Sequence, residues 1–195
     1  MPDIFPDLTS TLHQLATEFR LLADASNMEV VGDDAKGLAA YPPGWDQRIM
    51  LSAHADTVAC APGYDDRAGI AVMFDLMTTE PTRFAYSIFM DEEIGANGSR
   101  TIVLPVLPHL FVGLDRRGID QVAFYDDESR ADWARWVRRN GGDSVHGSFT
   151  DCANLGRRYN RCCLNFSVGF NSEHSPQETY DPRGAAFARK MALRL

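Results

Sequence analysis

The chain is poor in cysteine, with four in 195 residues at positions 60, 152, 162 and 163. Two of them are adjacent, which strains any bond between them, and the set lacks the pattern of a disulfide framework. Cys162 and Cys163 open an apolar run and read as small buried core residues rather than zinc ligands. Positive charge is also short: 19 Lys and Arg stand against 27 Asp and Glu, a net charge of −8. That leaves no basic footprint for a nucleic acid. No apolar run reaches the length of a membrane span, and residues 1–7 lack the basic and apolar regions of a secretory signal. The expectation is a cytoplasmic protein with neither nucleic acid nor membrane as partner, the question of a homo-oligomer staying open. Repeats, linkers and low-complexity tracts are absent too. A composition of 45% hydrophobic and 24% charged residues then suits a single domain with a full core.

What is present alternates in period. Helical spacing predicts a helix over 8–25, with Leu12, Leu15, Phe19 and Leu22 on one face behind a Thr9 or Ser10 cap. Short β-like runs follow at 29–31 and 37–41, ended by Pro42-Pro43-Gly44. Apolar runs at 48–53, 84–90, 111–114, 121–125 and 162–168 read as strands. Between or after them, helices are expected from about 66 through Met77, over 129–140 with Trp133, Trp136 and Val137 inward, over 151–158, and over 182–193. Strands alternating with helices imply an α/β fold, a three-layer α/β/α sandwich around a mixed, largely parallel sheet.

Along this frame fall His54, Asp65, Glu93, Asp115 and His174, most of them just after an apolar run. Open α/β sheets place their sites at such strand ends. A bridging carboxylate plus one His and one carboxylate per ion accounts for five ligands of two divalent cations, and Glu92 remains free to move protons. Asp56, two positions beyond His54 on an extended segment, can fix the imidazole's orientation. Asp65 lies in Gly63-Tyr64-Asp65-Asp66-Arg67-Ala68-Gly69, a tight turn into a helix. The set reads as a dinuclear metallohydrolase.

The wording of these segments resembles the co-catalytic zinc exopeptidases, the clan of zinc aminopeptidases, tripeptidases and carboxypeptidase G-like metallopeptidases. The matching pieces are His54-Ala55-Asp56-Thr57-Val58, the 63–69 turn, Asp91-Glu92-Glu93-Ile94-Gly95, Asp115, and Ser172-Glu173-His174-Ser175-Pro176. The resemblance implies that Asp65 bridges two ions, that His54 and Asp115 complete one, and that Glu93 and His174 complete the other. It further implies Glu92 as general base, Asp56 as orienting acid, and a cis peptide bond after Asp65. Zinc is the implied metal, two ions per chain, with cobalt or manganese compatible with the same donors. Asp65 follows His54 by 11 positions and His174 follows Asp115 by 59. Both intervals are too short for an inserted domain, so residues 1–195 are expected to form a single catalytic domain without lid or dimerisation insertion.

The implied reaction is hydrolysis of a peptide bond at a chain end, by an aminopeptidase or dipeptidase acting on small peptides. Two alternatives stay open: an amidase or deacylase acting on N-acyl amino acids with the same site, and a catalytically silent metal-binding domain. Arg116 or Arg117 could clamp a substrate carboxylate. Asp151 is read either as support for the site or as a helix N-cap, and His146 either as a donor to the tetrahedral intermediate or as a solvent-facing loop residue.

Overall fold

The apolar runs become neighbouring strands because both faces of the sheet they form are covered. A computed structural model describes residues 10–46, 48–125 and 130–195. In chain order the elements are α1 (Leu12–Ala25), β1 (Glu29–Asp33), β2 (Gly37–Tyr41), β3 (Ile49–His54), α2 (Tyr64–Thr79), β4 (Ala85–Phe89), α3 (Asn97–Thr101) and β5 (Leu110–Arg116). Then come β6 (Gln121–Phe124), α4 (Arg130–Arg139), β7 (Asp143–His146), α5 (Asp151–Tyr159), β8 (Cys162–Ser167), β9 (Phe170–Asn171), β10 (Thr179–Tyr180) and α6 (Pro182–Ala192). Eight strands make one sheet in the order β1-β2-β4-β3-β5-β8-β6-β7. Its centre, β4-β3-β5-β8, is wholly parallel, while β1, β2 and the β6–β8 pairing are antiparallel.

Successive residues of each central strand point to opposite cores. Leu51, Tyr86, Ile88 and Val112 face one side, where they pack with Leu15, Phe19, Phe74, Phe187 and Met191 of α1, α2 and α6. Met50, Ala85, Phe89 and Phe111 face the other, with Cys152 and Leu155 of α5. This is the α/β/α sandwich. It explains why β3 and β4 are buried along their whole length and show no polar alternation. Among the described residues, no helix is long and apolar enough to cross a membrane.

Several boundaries differ from the sequence reading. α1 starts at Leu12, and its cap is Thr11, whose hydroxyl accepts the Gln14 N–H while the Gln14 side chain accepts the Thr11 N–H. Ser10 is not the cap, and Leu8 and Thr9 lie outside the described residues, as does Ser129 at the expected start of α4. Strand β7 and helix α3 had no apolar pattern to announce them. At α2 the first turn is irregular: Asp65 and Asp66 are non-helical, and regular helix begins at Arg67. Gly69 lets that helix come close to β5, because a Cβ there would meet the Leu114 carbonyl oxygen at 1.8 Å.

Candidate metal centre

The chain reverses its direction of winding at β3, which has β4 on one side and β5 on the other, each parallel to it. At such a point the loops leaving the strand ends diverge and open a crevice. His54 is the last residue of β3, Asp115 lies near the end of β5, and Glu92 and Glu93 occupy the turn after β4. Asp65 comes from the irregular start of α2, and His174 from the loop joining β9 to β10. Asp65, Glu92, Glu93, Asp115 and His174 line one cavity of ≈ 300 Å³. His54, 2% exposed, lies behind the wall residues Asp65 and Asp115, which it contacts.

Asp65 divides its two oxygens between two histidines. Its Oδ1 lies 3.2 Å from His54 Nε2, which is in turn 3.6 Å from Asp115 Oδ1. Its Oδ2 lies 3.3 Å from His174 Nε2, which is 2.9 Å from Glu93 Oε2. Donor atoms of His54, Asp65 and Glu93 all fall within 4.8 Å of one another, and so do those of His54, Asp66 and Asp115. Asp66 is not equivalent to Asp65, however. Both its oxygens already accept main-chain N–H groups, from His54 at 3.2 Å and Gly69 at 3.0 Å, so it braces β3 against α2. The Asp65–Asp66 peptide bond is cis, as the resemblance implied.

The Asp56 carboxylate has a broader contact set than its spacing suggested. His54 Nδ1 is 2.9 Å from the Asp56 main-chain oxygen and 3.5 Å from its carboxylate. That carboxylate also accepts the N–H groups of Glu92 at 3.1 Å and Glu93 at 3.0 Å. Glu92 and Glu93 lie in a turn entered through Asp91 at φ 62, and both side chains line the cavity.

Two supporting residues carried no sequence signal. Asn165 on β8 reads the main chain of Asp115 from both sides: it accepts the Asp115 N–H and donates to the Asp115 carbonyl, each at 2.9 Å. These bonds span the irregularity between Gly113 and Arg116, where the β5–β8 register shifts. Thr150 donates its hydroxyl to Asp115 Oδ2 at 2.7 Å. It stands at the N-cap of α5 without capping it, and Asp151 is the first helical residue. Asp151 is buried, and its carboxylate oxygens meet no donor in bonding geometry among the described residues. It is therefore not a cap. Arg116 donates to Gln121 and Arg117 pairs with Glu173 at 2.8 Å, both at the cavity wall. His146 ends β7 in an exposed position and does not line the cavity.

The electrostatics fit a cation. Burial, reinforced by the Asp115 charge, pushes Glu92 up to about 9, and burial pushes Glu93 up to about 7 and Asp151 to about 7. Burial would lower His54, but the hydrogen bonds its protonated ring donates to Asp115, Asp56 and Asp65 hold it well above its ordinary value. The carboxylates that retain a proton there would as readily retain a metal ion in its place. Glu93 Oε1 is buried and has no hydrogen-bond partner among the described residues, a lone pair left over for a ligand. The donors, two imidazoles and three carboxylates, are those that zinc takes.

No protein-family model matches this chain, and no curated protein matches it. Solved structures do. The aminopeptidase PepT from Bacillus cereus is 13% identical and superposes with a TM-score of 0.72 over 97% of this chain and 94% of that one. A Zn-dependent exopeptidase from Parabacteroides distasonis is 12% identical, with a TM-score of 0.68 over 97% of this chain and 92% of that one. This chain has the zinc-dependent exopeptidase fold. The exopeptidase fold is also that of a glutaminyl cyclase from Tannerella forsythia, 14% identical with a TM-score of 0.64 over 97% of this chain and 92% of that one. The fold therefore narrows the chemistry without choosing the reaction, which has to be argued from the site.

Proposed function

We propose that this chain is a dinuclear metal-dependent exopeptidase, an aminopeptidase or dipeptidase, with its catalytic apparatus in one domain. The observation that carries this reading is the division of the Asp65 oxygens, 3.2 Å and 3.3 Å from two different histidines that each have a second carboxylate beside them. In this reading His54 and Asp115 hold one ion, Glu93 and His174 the other, and Asp65 both. Zinc suits the donors, and cobalt or manganese would be accepted. Once bound, two such ions would polarise the scissile carbonyl and make water a nucleophile at neutral pH.

Two carboxylates of the cavity wall lie outside that ligand set: Glu173, which is paired with Arg117, and Glu92. The role of Glu92 here is to take a proton from the attacking water and deliver it to the leaving nitrogen. Its elevated affinity for a proton, which neighbouring cations would lower, suits a group that must both accept and release one. Asp56 holds the main chain of Glu92 and Glu93 in register with His54, which keeps base and ligands in one geometry. A cavity of ≈ 300 Å³ favours short substrates. Arg116 and Arg117 at its wall favour those with a carboxylate near the scissile bond, such as dipeptides. That same feature supports a second reading, hydrolysis of N-acyl amino acids.

The test is to strip the purified protein of metal, refill it, and follow hydrolysis of dipeptides and N-acyl amino acids at each occupancy. Activity that returns with two ions per chain on free-amine peptides is the expected result. Turnover of acylated compounds alone would replace the aminopeptidase reading with the deacylase one. Two ions with no turnover on either would leave a silent metal-binding domain. Glu92→Gln should keep both ions and lose about 10²- to 10⁴-fold in rate.

A further inference from the structure

Beyond the proposed ligands lies a carboxylate whose hydrogen bonds, among the described residues, come from main-chain N–H groups. Glu178 is 5% exposed and accepts three consecutive main-chain N–H groups: Gly63 at 2.6 Å and Tyr64 at 2.9 Å on Oε2, and Asp65 at 2.9 Å on Oε1. These N–H groups belong to the irregular first turn of α2, where Gly63 sits at φ 94 and offers no side-chain cap. A buried N–H without a partner is costly, and a buried carboxylate without donors is costlier. Each satisfies the other across more than a hundred positions of sequence.

The same loop carries His174. Glu178 follows it by four residues, and the loop is closed by the β9–β10 pairing and by the Glu178 N–H donating to the Ser175 carbonyl at 3.1 Å. Tyr180, at the end of the hairpin, stacks on Tyr64 with ring centroids 5.5 Å apart. The hairpin thus touches the Asp65 turn at three levels: ring on ring, carboxylate on amides, and the His174 imidazole on the Asp65 carboxylate.

We propose that Glu178 is the positioning residue for the shared carboxylate: by fixing the Asp65 amide it aims both Asp65 oxygens, and so sets the affinity of both metal positions at once. It touches neither metal nor substrate. The proposal rests on the dinuclear reading above. Glu178→Gln keeps the shape of the side chain but turns an NH₂ toward N–H donors, so the cradle cannot close.

The experiment is a zinc titration of metal-free protein against a chromophoric chelator, with circular dichroism to follow the fold. In Glu178→Gln both affinities should fall together by about ten- to a hundredfold, the range for residues that orient ligands. Glu178→Asp, which keeps the charge but retracts it, should recover part of the loss. His174→Ala is the control and should weaken one position only. Wild-type affinity at both positions in Glu178→Gln would overturn the proposal. So would loss confined to the His174 position, since Glu178 would then act on its own loop and not on Asp65. A wild-type protein that binds no zinc would remove the dinuclear reading and this proposal with it. Should Glu178→Gln fail to fold, hydrogen exchange on the metal-free wild type decides: slow exchange at Gly63, Tyr64 and Asp65 is expected, and fast exchange there overturns the cradle.

Discussion

Around Asp65 Oδ1 the protein encloses an imidazole whose side chain is 2% exposed; around Oδ2 it leaves one that is 52% exposed. His54 ends a strand paired on both sides, and its partner Asp115 is held by two bonds from Asn165 and one from Thr150. His174 sits in a loop at φ 59, beside Glu93, whose Oε1 has no hydrogen-bond partner among the described residues. One half of the site is built into the sheet and the other is laid over it by a two-strand hairpin. A buried half must be neutralised by proton or metal, since solvent cannot reach it. The open half is within reach of solvent.

The strongest way to break this comparison is Asp65→Ala. Both halves lean on that residue, so elemental analysis should find almost no bound metal, and one full equivalent retained would mean that the halves are independent. Next comes the pair of histidine variants. In the metal-free protein His54→Ala removes the buried imidazole that Asp65 and the half-buried Asp115 share and should cost about 3–5 kcal/mol by urea unfolding. His174→Ala removes a half-exposed ring from beside the buried carboxylates of Asp65 and Glu93 and should cost less than His54→Ala. Equal losses would erase the distinction.

Asn165→Ala sharpens it further. The change leaves the Asp115 N–H unpaired, which should cost about 1–3 kcal/mol, and should weaken metal binding on the His54 side alone. pH dependence is a further readout. Glu93 is held up at about 7 and Glu92 at about 9, against an ordinary 4.5, mainly by burial. The metal-free folded protein therefore keeps protons that the unfolded chain has already released, and its stability should fall as pH rises through that window, from about 5 to about 9. Melting in chelator at about pH 5.5 and about pH 8.5 measures this slope, and added zinc should flatten it because ions take the place of the protons. A rising slope without metal would show the carboxylates to be better solvated than their burial indicates.

Much of this was legible from residue order. The five ligand candidates and Glu92 stood out because most of them follow an apolar run that reads as a buried strand, and the layers followed from the alternation of periods. The Thr11 cap was readable as well, since Thr11-x-x-Gln14 has capping-box spacing, though Ser10 and Thr9 drew the attention. Asn165, Thr150 and Glu178 could not be read in this way. Each serves a residue 35 to 115 positions away, largely through main-chain atoms, and such bonds leave no local spacing. Asp66 shows the converse. An oxygen of its carboxylate lies within 4.8 Å of donor atoms of His54 and Asp115, and only its two main-chain donors reveal that both oxygens are taken.

By itself, then, the order of residues determined which side chains could meet at the ends of parallel strands, because periodicity and burial are properties of short segments. The tertiary structure decided how those side chains divide: which oxygen of Asp65 faces which histidine, which half is sealed, and which distant amide and carboxylate hold the ligands still. Those choices rest on hydrogen bonds between segments far apart in the chain, and their geometry exists only once the sheet, helix and hairpin have packed.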